Sequence, residues 1–336
     1  MKEIVITSLE AGQRMDRLLG KYLREAPKSF LYKMMRKKNI TLNGKKAEGS
    51  EKLREGDVIR LFFSQETLEK FSGSREEIQE ADRQYPYRKL DVLYEDEHVL
   101  FINKPAGMLT QKARPEDRSL VEYLIGYLLR SQAVTAKDLE HFRPSVCNRL
   151  DRNTSGIVAA GKTVAGLQEL GKLFHDRTMD KYYRCVVKGE LKEACRLEGY
   201  LAKDGEANQV RIFREEREDA RPICTEYVPL GHGGGLTLLE VKLITGRSHQ
   251  IRAHLSSIGH PILGDPKYGD EKLNRYAAAR YGIKYQMLHS QRIRMPVLAG
   301  TLAPLSGKVI EAGMPDCFRR VLEGEFGSTQ AWNGKE

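Results

Sequence analysis

An α+β fold is what the sequence predicts, and three observations carry it. Short β-rich runs outnumber helical stretches, strong turn dipeptides punctuate them, and neither a Gly-x-Gly-x-x-Gly after a strand nor a P-loop is present. The chain has 336 residues, 40% of them apolar, which suffices for two domains or one large one with a buried core.

The first strand candidate is Ile4-Val5-Ile6. Met15, Leu18, Leu19, Tyr22 and Leu23 then recur at helical spacing among Arg14, Arg17, Lys21 and Arg24, predicting an amphipathic helix with cationic flanks. After Pro27, Ser29 is the expected N-cap of a second helix, with Phe30, Leu31, Met34 and Met35 on one side and Lys33, Arg36, Lys37 and Lys38 on the other. Ile40-Thr41-Leu42 runs into the tight-turn pair Asn43-Gly44 and Lys45, and Leu53 to Leu61 supplies a further turn and an alternating strand. From Met1 to Ser64 there are 15 Lys plus Arg against 8 Asp plus Glu, so this segment carries +7 of the chain's net +10. A basic helix on a small sheet suits phosphate binding, although the same charge pattern also describes a solvated helix face.

Gln65 to Lys89 is polar and charged, contains Ser72-Gly73-Ser74, and reads as a linker. Leu90–Tyr94 and Val99–Asn103 then predict a hairpin about Glu95-Asp96-Glu97, closed by Lys104-Pro105-Ala106-Gly107-Met108 as strand punctuation. Helices are expected over Ser119–Leu129 and Ala165–His175, and strands over Ile157–Ala160, Lys181–Gly189, Pro222–Val228 and Leu236–Leu243, with a flexible Gly231–Gly235 between the last two. Thr245 to Leu255 reads as a turn feeding a helix.

No run of about 18 apolar residues occurs, so no membrane span is expected, and the opening MKEIVITSLE lacks the apolar core of a secretory signal, which points to the cytoplasm. The five cysteines are odd in number and widely spaced, against a disulfide framework or paired zinc ligands. His249, His254 and His260 invite a metal reading, but a spacing of five does not stack imidazoles on a helix, and Arg247 and Arg252 would repel a cation. No nucleophile elbow is present.

The stretch with the densest chemistry is Asn148-Arg149-Leu150-Asp151-Arg152-Asn153-Thr154-Ser155-Gly156, one carboxylate between two arginines. Positive neighbours favour an ionised Asp, available as nucleophile or base. Taken alone, the pattern is met more often as a surface ion pair. A cofactor-free carboxylate mechanism needs such an Asp, a cation to hold it and an aromatic wall, and spacing alone does not select the partners.

Four motifs, NRLDRNTSG, TGRSHQIRAHL, GHPILGDPKYG and VLYEDEHVLFINKPAGM, together resemble the RluA-type pseudouridine synthase family over about Leu90 to Pro304. The first fifth of the chain, through ITLNGKKA and LREGDVIRL, resembles the small RNA-binding domain of ribosomal protein S-four. The resemblance implies an enzyme that detaches uracil from its ribose within RNA and rejoins it through carbon five, with no metal or organic cofactor. Asp151 falls on the family's catalytic aspartate, whose role as nucleophile or in sugar deprotonation stays open. Tyr183 falls on the tyrosine lining the base pocket, with a possible part as proton acceptor, and Arg252 on the basic partner of the aspartate. Arg149 matches an arginine suited to fill the gap left by a flipped base, or to make a plain phosphate contact. Asn148 stands where the family commonly has His, which bears on local RNA contacts more than on catalysis.

The expected organisation is therefore a basic RNA-binding domain over residues 1–64, a charged linker over 65–89, a catalytic domain of mixed, mostly antiparallel sheet over 90–325, and a tail over 326–336. The RNA-binding set is Arg14, Arg17, Lys33, Arg36, Lys37, Lys38, Lys45 and Arg149. Structured RNA is the expected partner, large-subunit ribosomal RNA before transfer RNA. A non-catalytic RNA-binding or assembly factor is the competing reading.

Overall fold

The computed structural model describes residues 1–7, 9–23, 25–72, 85–204 and 209–327. Its elements in order are β1 (Lys2–Val5), α1 (Met15–Tyr22), α2 (Lys28–Arg36), β2 (Ile40–Leu42), β3 (Lys45–Lys46), β4 (Val58–Leu61) and α3 (Gln65–Ser72). They are followed by β5 (Val92–Glu95), β6 (Val99–Lys104), α4 (Leu120–Arg130), α5 (Asp138–His141), β7 (Ser145–Val146), β8 (Ser155–Gly161), α6 (Val164–Asp176) and β9 (Asp180–Lys188). The last stretch holds β10 (Cys195–Asp204), β11 (Gln209–Phe213), β12 (Arg221–Gly233), β13 (Leu236–Leu243), α7 (Gln250–Ser257), α8 (Glu271–Tyr281), β14 (Leu288–Arg294), β15 (Val309–Glu311) and α9 (Asp316–Phe326).

Two sheets organise these elements. The first is four-stranded, in the order β1-β4-β2-β3, and antiparallel throughout. Met15, Leu18, Leu19 and Tyr22 of α1 and Leu31 and Met35 of α2 pack with Ile4, Ile40, Ile59 and Leu61 of the strands into one apolar cluster. The spacing that predicted an amphipathic helix is the spacing that seals this core. Two expectations are corrected here. Pro27, not Ser29, is the N-cap of α2, because proline's fixed φ suits a helix entrance and no side chain caps it. The start of the expected linker is also helical, since Leu68 is buried in the same cluster and Phe71 packs 4.9 Å from Phe30. The stretch 73–84 of that linker, and the tail beyond 327, lie outside the described residues.

The second sheet has 11 strands, nine of them on the path β11-β10-β12-β13-β9-β14-β8-β6-β5, with β15 beside β14 and β7 beside β8. Only β14 and β8 pair in parallel; the remaining pairs are antiparallel. Strict alternation along the buried strands gives the sheet two apolar faces. Leu100, Ile102, Val158 and Ala160 join α4 and α7 in one cluster, while Val99, Phe101, Ile157 and Ala159 join α6 in another. Ser119 caps α4 in a full capping box with Glu122. The glycine-rich stretch expected to be flexible instead prolongs β12 to Gly233 and turns at Gly234-Gly235 into β13.

A close approach at the sheet centre positions the site. Ser290 of β14 lies opposite both Gly156 of β8 and Tyr183 of β9. A Cβ on Gly156 would come within 2.1 Å of the Ser290 carbonyl oxygen, so only glycine lets these strands meet directly after the Asp151 loop.

The helices and loops that flank the two sheets touch. The Val164 amide donates to the Leu9 carbonyl at 3.0 Å, and His141 of α5 stacks on Tyr22 of α1 with ring centres 5.0 Å apart. His141 Nδ1 also lies 3.5 Å from Glu10 Oε1, both residues being buried. Among the described residues no helix is long and apolar enough to cross a membrane.

Candidate active site

Asp151 sits in the loop between β7 and β8, and four local devices fix that loop. Thr154 N donates to the Asp151 carbonyl at 3.1 Å. Thr110 Oγ1 donates to the Leu150 carbonyl at 2.7 Å and accepts from the Leu150 amide at 3.2 Å. Arg152 Nε reaches the Gly107 carbonyl at 3.2 Å, and Gly107 N donates to the Arg152 carbonyl at 2.9 Å. Lys104 lies beneath, fully buried, its Nζ donating to the carbonyls of Pro105, Met108 and Arg152 at 3.0, 2.9 and 3.2 Å. Burial pulls its ammonium down to about 7, while the charge of Asp151 works in the other direction.

The carboxylate itself is held by Arg252 on α7, whose Nη1 donates to Asp151 Oδ2 at 2.8 Å. Arg252 does not stand alone. Its Nε and Nη2 form a fork onto Asp265 Oδ2 and Oδ1 at 2.6 and 2.8 Å. Asp265 is 1% exposed and also accepts from the amides of Lys267 and Tyr268 at 2.8 and 3.1 Å. Burial opposes both charges, yet their mutual bonds outweigh it, so the carboxyl of Asp265 falls below its usual range and Arg252 stays firmly protonated. The guanidinium also lies 5.2 Å from the centre of the Tyr268 ring. One arginine thus serves two carboxylates, and Asp151, with its side chain 27% exposed, is the one that solvent or substrate can reach.

Tyr183 of β9 is buried, with the hydroxyl of Ser290 as hydrogen-bonding neighbour and Asp151 near enough to influence it. Burial pushes its phenol up to about 12, with the Asp151 charge adding to that rise. His249 begins α7 in a left-handed conformation, 3.9 Å from Asp151 Oδ2 and 3.0 Å from the Tyr268 hydroxyl. Burial lowers its basicity and Asp151 opposes that shift.

Several sequence expectations change in detail. Asn148 accepts from Ala159 N at 2.8 Å and donates to the Ile157 carbonyl at 3.3 Å, so its amide ties the loop to β8 rather than facing RNA. His254 pairs with Thr225 and His260 with the Lys188 carbonyl, so the three histidines point to three different partners. Among the described residues no group of three potential metal ligands converges. Arg149 is exposed beside the loop, and Arg17, Lys33, Arg36, Lys37, Lys38 and Lys45 are exposed on the four-stranded unit. Arg14 is engaged, its guanidinium bound to Asp16 at 2.9 Å. Asp265 and Lys104 were not singled out in sequence, although both lie inside quoted motifs, GHPILGDPKYG and VLYEDEHVLFINKPAGM.

Fold and site together define a class of RNA-modifying enzyme. Residues 98–257 match the family model described as RNA pseudouridylate synthase. The chain is 33% identical to ribosomal large subunit pseudouridine synthase C of Vibrio vulnificus over 285 residues, covering 84% of this chain and 85% of that protein. It is 30% identical to the protein of the same name from Escherichia coli K12 over 328 residues, 96% of each. Among solved structures, human RNA pseudouridylate synthase domain containing 4 superposes with a TM-score of 0.56 at 20% identity, over 74% of this chain and 96% of that one, a likeness of fold. The chain belongs to the RNA pseudouridylate synthase family and is a pseudouridine synthase.

Proposed function

We propose that the protein isomerises uridines in large-subunit ribosomal RNA with Asp151 as its catalytic carboxylate. In the reaction the bond between N1 and C1′ breaks and one between C5 and C1′ forms; the proton leaving C5 is balanced by one gained at N1. One observation carries the assignment. Asp151 is the partly exposed end of a buried Asp265–Arg252 pair, a negative charge fixed in place before substrate arrives.

The other residues fall into place around it. Arg252 orients the carboxylate, Tyr183 walls the uracil ring, and Arg149 is free to stack or to contact phosphate where the uridine leaves its helix, an exit that costs a few kcal/mol. The ribosomal assignment is supported by the names of the relatives that align over most of their length. Residues 1–64 act as the RNA-gripping unit, through the exposed cations of α2 and β3. A ribosomal RNA substrate supports a cytoplasmic location.

The test is pseudouridine mapping of ribosomal and transfer RNA from cells lacking the gene, complemented with wild type or Asp151→Ala. Specific large-subunit sites should disappear and return only with wild type. Restoration of every site by the alanine variant would remove Asp151 from the mechanism, and loss confined to transfer RNA would overturn the ribosomal substrate.

A further inference from the structure

Asp151 has a second neighbour besides Arg252. His249 Nε2 lies 3.9 Å from Asp151 Oδ2, beyond hydrogen-bonding distance, and Arg252 already engages that oxygen at 2.8 Å. The imidazole is nevertheless fixed. Val210 N donates to the Tyr268 hydroxyl oxygen at 2.8 Å, and the same hydroxyl lies 3.0 Å from His249 Nδ1, the two rings meeting edge to face with centres 5.7 Å apart. A main-chain N–H can only donate, so the phenol keeps its own proton to give, and Nδ1 is the acceptor within reach. That pattern assigns the proton of the neutral imidazole to Nε2, the nitrogen turned toward Asp151. A lone pair facing the carboxylate would repel it, and an N–H does not. Burial lowers the basicity of His249, with Arg252 and Lys267 acting in the same sense against Asp151 and Asp265, so the ring offers this N–H without a charge. The backbone is strained at the same residue. His249 is the N-cap of α7 at φ 55°, a left-handed conformation that side-chain-bearing residues seldom adopt, and its carbonyl accepts from Ala253 N at 2.9 Å. The side chains of His249 and Asp151 keep 14% and 27% of their surface exposed, so a substrate can reach both.

We propose that His249 Nε2–H donates to the uracil carbonyl oxygen beside the glycosidic bond, O2 in the uridine and O4 in the pseudouridine, and holds the ring while it is detached. Uridine is joined through N1, next to C2 and O2, whereas pseudouridine is joined through C5, next to C4 and O4. The half-turn about the axis through N3 and C6 that exchanges N1 with C5 also exchanges O2 with O4. One fixed donor beside Asp151 is therefore answered by a carbonyl oxygen before and after rotation. When the bond between N1 and C1′ breaks, its electron pair leaves with the ring, and the negative charge spreads onto these same oxygens, where a donor held in place in advance gains most. Tyr268 is then a positioning residue that acts through His249. The inference rests on Asp151 as the catalytic carboxylate and deepens that reading.

The experiment uses the full chain and an RNA containing a uridine that wild type converts, with that position carried either as uridine or as 2-thiouridine, whose sulfur is a poor acceptor. His249→Leu should lower kcat about a hundredfold with KM and the urea midpoint little changed, and His249→Gln, which can place an amide N–H where Nε2 was, should recover most of the loss. On the 2-thiouridine substrate the ratio of wild-type to His249→Leu kcat should shrink from about a hundredfold to about tenfold or less, because the oxygen that the donor needs is gone. Tyr268→Phe, which leaves the imidazole free to change tautomer, should lower kcat about tenfold at unchanged KM and show the same shrinkage on a smaller scale, so the result does not depend on the leucine variant folding. A ratio that is equal on the two substrates, a wild-type kcat in His249→Leu, or a loss confined to KM overturns the proposal. Asp151→Ala is assayed beside these variants. An active alanine variant sinks the reading of Asp151 and this inference with it, whereas an inactive one beside a fully active His249→Leu sinks this inference alone.

Discussion

Two arginine–carboxylate networks lie in the unit built on the 11-stranded sheet, one beside the sheet and one on its strands, and they have opposite charge ratios. At the active loop one arginine, Arg252, serves two carboxylates, Asp265 and Asp151. On β9, β13 and β14 the ratio is inverted, Arg184 and Arg292 both reaching Oε2 of Glu240 at 3.2 and 3.0 Å. The second network leaves donors over: among the described residues Arg184 Nη1 and Arg292 Nε have no hydrogen-bond partner, although Arg292 lies 4.4 Å from the Tyr182 ring centre. Burial lowers the basicity of Arg184, with Glu240 opposing it, whereas Asp265 keeps Arg252 firmly charged. The surplus charge shows the difference in use. A surplus carboxylate at a partly open loop is free for chemistry, while surplus guanidinium on a strand stays in the scaffold.

The sharpest way to break this contrast is Asp151→Ala. It removes the surplus carboxylate and leaves Arg252 paired with Asp265, so the urea midpoint should hardly move while kcat falls by about a thousandfold or more. A variant that stays active, or one that unfolds, contradicts the division of labour. Asp265→Ala does the reverse. It leaves a buried guanidinium short of its anchor, which costs about 3–5 kcal/mol of stability, and the misplaced Arg252 should lower kcat on the order of a hundredfold. Urea unfolding and single-turnover conversion separate the two effects.

Lys104 is the next test, since it holds the loop from below without touching Asp151. Lys104→Met should lower kcat by about tenfold to a hundredfold through loss of three hydrogen bonds, with little change in KM. Its stability signature has a definite sign. Burial brings the folded-state value from 10.5 down to about 7, so between these values the unfolded chain binds more protons than the native one. Stability from this group therefore rises with pH from about 7 towards 10.5, and the rise should vanish in Lys104→Met. A wild-type urea midpoint that does not rise relative to the variant over that window would show that the carbonyls keep the ammonium charged.

How much of this could be read from sequence depends on how local the cause is. The helices of the N-terminal unit, the capping box at Ser119 and most strands follow from periodicity and turn residues, which are short-range. Asp151 was conspicuous because two arginines, Arg149 and Arg152, lie within two positions of it in the chain. Its real partner, Arg252, is 101 residues away, and only a family resemblance connected them. Asp265 and Lys104 act through burial, which a linear reading does not report. Asn148 misled for the same reason: a polar residue next to a reactive loop reads as a ligand contact until β8 is seen to use both ends of its amide. The helix at Gln65–Ser72 is masked in the sequence by its charge, although Leu68 and Phe71 pack into the core of the N-terminal unit.

The smallest effect on activity, and the one that closes the comparison, is expected from Glu240→Gln. Without the carboxylate, Arg184 and Arg292 face each other across adjacent strands, both at least partly desolvated and both without their ion pair, although the charge of Glu311 still acts on Arg184. Removing one member of such a network costs roughly 2–4 kcal/mol. Catalysis should change by no more than about twofold, because the network shares no hydrogen bond with Asp151, Arg252 or Lys104 and distant sites act independently. Replacing Arg184 by Met in the same protein should then recover part of the lost stability, since it removes the repulsion and leaves an apolar side chain in a buried position. A large fall in kcat with the fold intact would instead make the inverted network part of the catalytic apparatus, transmitted along β9 through Tyr183, and the ratio of arginine to carboxylate would no longer distinguish site from scaffold.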